Sequence, residues 1–270
     1  MEVLVPVLTM GALGFLFSLG LTFAYKKLRV YEDPKIEEVS EMLPQANCGA
    51  CGYSGCRAFA EALVKGEATA NGCPVGGEDV ANQIATTLCV DAGEIIKKLA
   101  RLHCRGSHEA AKDRGTYLGI STCHAAHLLG GNKQCSYGCL HFGDCARACP
   151  FDAMYMDEDG LPFVIEEKCT ACGICVEACP RNLFELHPVP EEIIVFCRSR
   201  DRGAVSRKYC TNACIACGIC VRACPEAIIL ENNLAEIIDY KKIEPEKIPE
   251  IEKCPTNSIG RIHKEKEDEG

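Results

Sequence analysis

Residues 169–180 read "CTACGICVEACP", and the spacing of these four cysteines decides the fold. Three thiols fall close together and the fourth, Cys179, is joined to a proline, giving C-x2-C-x2-C-x3-C-P. A chain with this run wraps Cys169, Cys172 and Cys175 around one 4Fe–4S cluster and sends the proline-linked Cys179 to a neighbouring one. A looser copy, "CSYGCLHFGDCARACP" (135–150), lies upstream and carries Cys135, Cys139, Cys145 and Cys149. Between the copies, "FDAMYMDEDGLPFVIEEK" alternates around a central Asp-Gly, which predicts strand, turn and strand.

Two such runs flanking a hairpin make a bacterial-ferredoxin-like unit. The crossing rule gives one cluster to Cys149, Cys169, Cys172 and Cys175. It gives a second to Cys145, Cys179 and Cys135 or Cys139, both of the last two being expected to take part. A third run, "CTNACIACGICVRACP" (210–225), tests the reading. Moving the first unit forward by 75 positions lays Cys135, Cys139, Cys145, Cys149 and Cys179 on Cys210, Cys214, Cys220, Cys224 and Cys254 without a gap. The C-terminal third therefore repeats the unit. The same shift lays Cys169, Cys172 and Cys175 on Glu244, Lys247 and Glu250. The repeat is expected to have lost one cluster and to keep the other on Cys214, Cys217, Cys220 and Cys254, with Cys224 stranded. Phe142 stands opposite Cys217, so the first unit would need Cys135 instead.

The whole chain has 22 cysteines in 270 residues and no tryptophan, so cysteine chemistry rather than one large apolar core must organise it. A net charge of −9 speaks against nucleic acid as a partner. From Val3 to Tyr25 the chain is uncharged. As a helix this run reaches roughly 35 Å, enough to cross a hydrocarbon core of about 30 Å. It lacks the basic n-region and Ala-x-Ala site of a signal peptide. Lys26, Lys27 and Arg29 follow it directly, which places the N-terminus outside and the rest in the cytoplasm, as a single-pass protein of the cell membrane. A reducing cytoplasm disfavours disulfides.

Between anchor and first unit, "NCGACGYSGC" and "GCPVGG" supply Cys48, Cys51, Cys56 and Cys73, spaced C-x2-C-x4-C-x16-C. Three thiols from one glycine-rich loop and a distant fourth fit a 4Fe–4S site better than the paired arms of a zinc knuckle. "CRAFAEALVKGEA" reads as an amphipathic helix leaving that site and ending near Gly66. Of the remaining thiols, Cys104, Cys123, Cys197 and Cys210 lie in motif-free connectors and are candidates for a further cluster. Cys89, on the helical-looking "VANQIATTLCV", is expected to be a small buried hydrophobe. His124 and His127 near Cys123 are expected to be ordinary polar residues.

The fold class is thus α+β: one N-terminal transmembrane helix, a small helical four-cysteine iron–sulfur module, and tandem bacterial-ferredoxin-like units. The expected organisation is an anchor at 1–27, the four-cysteine module at 28–85 and a cysteine-bearing linker at 86–132. A two-cluster unit follows at 133–188, a degenerate one-cluster unit at 189–262 and a charged tail at 263–270. At least four 4Fe–4S clusters are expected, and five if the connector thiols meet. Such a chain is suited to one-electron relay. No dinucleotide fingerprint, Walker loop or Ser/His/Asp constellation stands out, and the membrane helix carries no ionisable residue to serve as an ion path.

The anchor, "NCGACGYSGC…GCPVGG", "GGNKQCSYGCLHFGDCARACPFDAM" and "KCTACGICVEACPRNLFEL" together resemble the B subunit of the Rnf complex, a membrane-bound ferredoxin:NAD oxidoreductase. The resemblance implies a subunit that takes electrons from reduced soluble ferredoxin and passes them through its clusters. Other membrane and peripheral subunits would carry flavin, reduce NAD and move sodium ions or protons, and membrane lipid would surround the anchor. Longer family members end in a second complete ferredoxin unit, and this sequence departs from them at Glu244, Lys247 and Glu250. The same residues would also serve a relay that reduces a regulatory iron–sulfur protein. The basic stretch "RSRDRGAVSRK" (198–208) is a candidate surface for steering an acidic ferredoxin.

Overall fold

A computed structural model describes residues 4–28, 33–189 and 192–262. Arg29 and the tail at 263–270 lie outside them. Helix α1 (Leu4–Leu28) is uniformly apolar up to Lys26 and Lys27 in its last turn. Its span Val7–Leu28 has mean hydropathy 1.9 and buries none of its surface against the rest of the chain. Length and composition suit a membrane crossing.

Helix α2 (Pro34–Met42) begins where Asp33 accepts a hydrogen bond from the Lys35 amide (3.0 Å) and Pro34 occupies the first turn. With α3 (Cys56–Lys65) and α4 (Gly77–Leu88) it encloses a small core of Val39, Leu43, Phe59, Leu63 and Ile84. Helix α3 stops at Gly66, whose φ of 75° supplies the left-handed cap. Helix α4 ends at Cys89, which is left-handed (φ 54°) and exposed. The expectation of a buried thiol there therefore fails, because the helix stops one residue before Cys89 can turn inward.

The two ferredoxin-like units repeat one plan. In the first, β1 (Lys98–Leu102) comes from the segment expected to be linker and pairs with a strand beyond the second cysteine run. Helices α5 (Cys123–Leu128) and α6 (Asp144–Ala148), the hairpin β2 (Met154–Met156) and β3 (Pro162–Val164), α7 (Ile174–Ala178) and β4 (Phe184–Pro188) follow. The β1–β4 pair is antiparallel, with Leu102 opposite Phe184, and the β2–β3 hairpin is the strand–turn–strand that the Asp-Gly signal predicts.

The second unit has β5 (Ile193–Val195), α8 (Gly203–Tyr209), α9 (Ile219–Ala223), the hairpin β6 (Ile228–Glu231) and β7 (Leu234–Ile237), α10 (Ile248–Ile251) and β8 (Ile259–Arg261). Here β5 pairs with β8, Val195 opposite Ile259, and Ile259 is Phe184 moved by the same 75 positions. Where the first unit has Cys169, Cys172 and Cys175, the second has a one-turn helix whose Ile248 and Ile251 are buried with Cys224 in an apolar core. Glu244, Lys247 and Glu250 lie near enough to perturb the Cys224 thiol. Hydrocarbon stands where the repeat leads one to look for a cluster.

Candidate iron–sulfur sites

Twenty of the thiols gather in five groups of four. The N-terminal group is Cys48, Cys51, Cys56 and Cys73 around a small cavity that also meets Pro44, Asn47 and Phe59. The loop closes because Gly49 (φ 75°) and Gly52 (φ 85°) are left-handed. Asn47 Oδ1 accepts the Cys56 amide at 2.9 Å, and a Cβ on Gly55 would stand 2.8 Å from that oxygen. The cap on α3 thus comes from nine residues upstream and needs glycine beside it. The Gly76 amide donates to Cys73 Sγ at 3.3 Å.

A second group, the inner one, is Cys149, Cys169, Cys172 and Cys175, around a small cavity lined by Ala100, Phe151, Met154, Val164 and Ile174. A third, at the C-terminus, is Cys214, Cys217, Cys220 and Cys254, around a small cavity with Ile215, Ile219, Leu230 and Ile259. In both, the cysteine loop is shaped by paired left-handed residues, Ala171 and Gly173 in one, Ala216 and Gly218 in the other. Such turns aim successive backbone N–H groups inward, which favours thiolates. These groupings coincide with the sets read from spacing.

The remaining two groups differ from that reading by one exchange. Cys139, Cys145 and Cys179 line a cavity with Cys123, and Cys135 is not among its walls. Cys123 reaches it as the first residue of α5, which Thr122 caps (3.2 Å from its Oγ1 to the Ala125 amide) and which the Asp144 carboxylate fastens by accepting the His124 amide (3.1 Å). His124 and His127 themselves are exposed, in keeping with ordinary polar roles.

Cys135 instead meets Cys104, Cys197 and Cys210. A Cβ placed on Gly106 would lie 3.4 Å from Cys104 Sγ and 3.6 Å from Cys210 Sγ, and one on Gly138 would lie 3.5 Å from Cys135 Sγ and 3.9 Å from Cys104 Sγ. Burial pushes the Cys197 thiol up to about 12, with the Cys104 thiolate adding to it; burial and the nearby Cys135 and Cys197 thiolates push Cys210 up to about 11.

Two sequence signals point to this exchange. Cys135 and Cys210 are repeat mates and so should share a role. Phe142, standing where the second unit has Cys217, leaves the first unit one thiol short in its own loop, and a connector cysteine fills that place.

The groups stand in a row. Burial first, then the thiolates of Cys48 and Cys149, raise Cys172, so the N-terminal group adjoins the inner one. Cys145, pushed up to about 12 by burial, also feels Cys123, Cys179 and Cys175, which joins the inner group to the crossing group of Cys123, Cys139, Cys145 and Cys179. The Cys139 amide donates to Cys104 Sγ (3.4 Å) and the Cys214 amide to Cys197 Sγ (3.3 Å). The group shared by the two units is therefore the link between the crossing and C-terminal groups. Cys217, at the end of the row, is exposed.

Four thiols gathered together, mostly apolar walls around four of the groups and N–H···S bonds are the surroundings a 4Fe–4S cluster needs. Fold and sites together define an iron–sulfur electron-transfer protein of tandem ferredoxin-like build. A family model described as "Putative Fe-S cluster" matches residues 43–75, and one described as "4Fe-4S binding domain" matches residues 162–185. The chain is 48% identical, over 95% of its length and 77% of the relative's, to the B subunit of the Na(+)-translocating ferredoxin:NAD(+) oxidoreductase complex of Acetobacterium woodii. It is 38% identical, over 96% and 93%, to the B subunit of the proton-translocating ferredoxin:NAD(+) oxidoreductase complex of Clostridium ljungdahlii. It is also 38% identical, over 76% and 78%, to the B subunit of an ion-translocating oxidoreductase complex of Methanosarcina acetivorans. The chain belongs to this family, the B subunits of Rnf complexes.

Proposed function

We propose that this chain accepts electrons from a reduced soluble ferredoxin and relays them toward NAD reduction, within a membrane complex whose other subunits move sodium ions or protons. The observation that carries the reading is the unbroken row of five four-thiol groups running from exposed Cys217 to the module that follows α1 in the chain. Bound 4Fe–4S clusters supply the one-electron carriers. The ligands are Cys48, Cys51, Cys56 and Cys73; Cys149, Cys169, Cys172 and Cys175; Cys123, Cys139, Cys145 and Cys179; Cys104, Cys135, Cys197 and Cys210; and Cys214, Cys217, Cys220 and Cys254.

The row has two chemically different ends. At the outer end, Arg202, Arg207, Lys208 and Arg222 are exposed, and α8 begins beside the Cys214–Cys217 loop, Gly203 facing the Ile215 carbonyl. Cations here suit an acidic ferredoxin. Part of the basic stretch is used internally, since Arg198 pairs with Glu185 and Arg200 with Glu236. The inner end follows the helix that ends in Lys26 and Lys27, which orients the soluble part to the cytoplasm and makes the protein single-pass. Lipid is then the partner of α1.

Rapid mixing of the anaerobic full-length chain with reduced ferredoxin tests the proposal. Bleaching near 400 nm that extends to all five sites is expected. A chain that dithionite bleaches but ferredoxin does not would overturn it.

A further inference from the structure

His103, Glu185 and His187 bring three lone-pair donors within 4.8 Å of one another, and none of the three belongs to a thiol group. His103 Nε2 lies 2.9 Å from His187 Nε2 and 3.3 Å from Glu185 Oε2, and His187 Nε2 lies 3.5 Å from the same oxygen. His103 Nδ1 donates to the Val195 carbonyl at 2.8 Å. In the neutral ring the proton is therefore on Nδ1, and Nε2 presents a bare lone pair. With both rings neutral and Glu185 ionised, at most one proton, on His187 Nε2, lies among an imidazole lone pair, a second imidazole and a carboxylate oxygen. A cation at the centre answers all three.

From these atoms we infer that His103, Glu185 and His187 bind a divalent transition-metal ion, with zinc as the occupant their donor set suits. With bonds of about 2.0–2.1 Å, separations of this size correspond to ligand–metal–ligand angles of roughly 90–115°. The supporting shell is in place. The Val195 carbonyl fixes the His103 tautomer. Arg198 holds Glu185 Oε1, leaving Oε2 as the single coordinating oxygen. Tyr240 packs edge-on against the His187 ring, centroids 5.5 Å apart. The two histidine side chains are 5% and 7% exposed and Glu185 is 50% exposed, so an ion has a way in and room for water as a fourth ligand.

The site joins the two units. Glu185 and His187 are on β4, His103 follows β1, and Val195, Arg198 and Tyr240 belong to the second unit. His103 precedes Cys104 and Arg198 follows Cys197 in the chain, so the ion would clamp together the two strand ends that bring those thiols to the shared group. The inference is independent of the relay reading.

The test is metal content of the anaerobically purified, iron-loaded full chain, carrying a tag without histidine. About one zinc per chain is expected, with a zinc absorption edge fitted by nitrogen and oxygen at about 2.0–2.1 Å and no sulfur at about 2.3 Å. His187→Gln should remove the zinc and leave iron unchanged. Should that variant lose iron as well, Glu185→Gln, at a half-exposed position, decides: zinc affinity should fall more than about tenfold. Sulfur-ligated zinc, unchanged zinc in Glu185→Gln, or no zinc after incubation with the metal would each overturn the inference.

Discussion

The backbone N–H of Cys214 donates to the Sγ of Cys197, 3.3 Å away, and its repeat mate Cys139 donates in the same way to Cys104 at 3.4 Å. Each sulfur also accepts the amide two residues on, from Ser199 (3.4 Å) and from Gly106 (3.4 Å). The shared group is thus made twice over from one local design, a strand end followed by a cysteine. Strands β1 and β5 place those cysteines, and Cys135 and Cys210 complete the set. The seam between the two repeats thereby gathers four thiols.

Removing the seam should divide the row. Cys197→Ser is expected to lower iron from about twenty to about sixteen atoms per chain. The C-terminal group should still be reduced by ferredoxin, while reduction of the inner and N-terminal groups slows sharply. Iron analysis and freeze-quenched paramagnetic resonance check both. Undiminished iron, or undiminished reduction of the N-terminal group, would contradict the arrangement.

Cys123→Ser and Cys135→Ser separate the two exchanged thiols. Each should cost about four irons, but from different sites, so the losses should add in the double variant. If both thiols served one cluster, the double variant would lose no more iron than either single one.

Cys224→Ala should behave unlike every change at a proposed ligand. The thiol is 6% exposed among Ile248, Ile251 and other apolar residues. Iron should be unchanged and stability lowered by about 1 kcal/mol, a typical cost for a buried truncation. Loss of iron would show that the degenerate unit still uses this thiol.

Loading should depend steeply on pH. In the iron-free chain burial pushes Cys145 and Cys175 up to about 12 and Cys104 and Cys220 up to about 11, with neighbouring thiolates adding to the rise. These thiols stay protonated near neutrality, so iron must displace protons and loading is favoured as pH rises. Cys254 is the exception: burial raises it, but hydrogen bonds from Ser258 and Thr256 outweigh burial and bring it below the ordinary thiol value. Reconstitution followed near 400 nm should be more complete at about pH 8.5 than at about pH 6.5. The opposite trend would rule out proton displacement as the governing step.

Much of this is legible in the residues because cluster ligation is a matter of local spacing. The three cysteines of one loop announce themselves, and the gapless repeat makes Cys254 readable although no cysteine lies near it in sequence. What spacing does not carry is docking. Cys123 is brought to its cavity by a six-residue helix held by Asp144, and β1 crosses from the supposed linker to pair with β4. The His103–Glu185–His187 cluster has no motif, since His103, just past the end of β1, and the β4 residues Glu185 and His187 lie some eighty residues apart. Cys89 misleads because apolar periodicity runs to the last residue of α4 and says nothing of the left-handed cap that follows.

The basic surface of α8 gives the last prediction. Arg207 and Lys208 lie in the last turn of α8 and are exposed, so reversing their charge should leave fold and iron content intact. If they steer an acidic ferredoxin, Arg207→Glu/Lys208→Glu should slow its second-order reduction of the chain by about tenfold at low salt. The difference should shrink as ionic strength rises past about 0.15 M, where the screening length falls to about 8 Å. Dithionite, a small reductant with no docking surface to satisfy, should reduce both proteins alike. A rate that is lowered equally at every salt concentration would point to a disturbed site rather than lost steering, and an unchanged rate would move the ferredoxin surface away from α8.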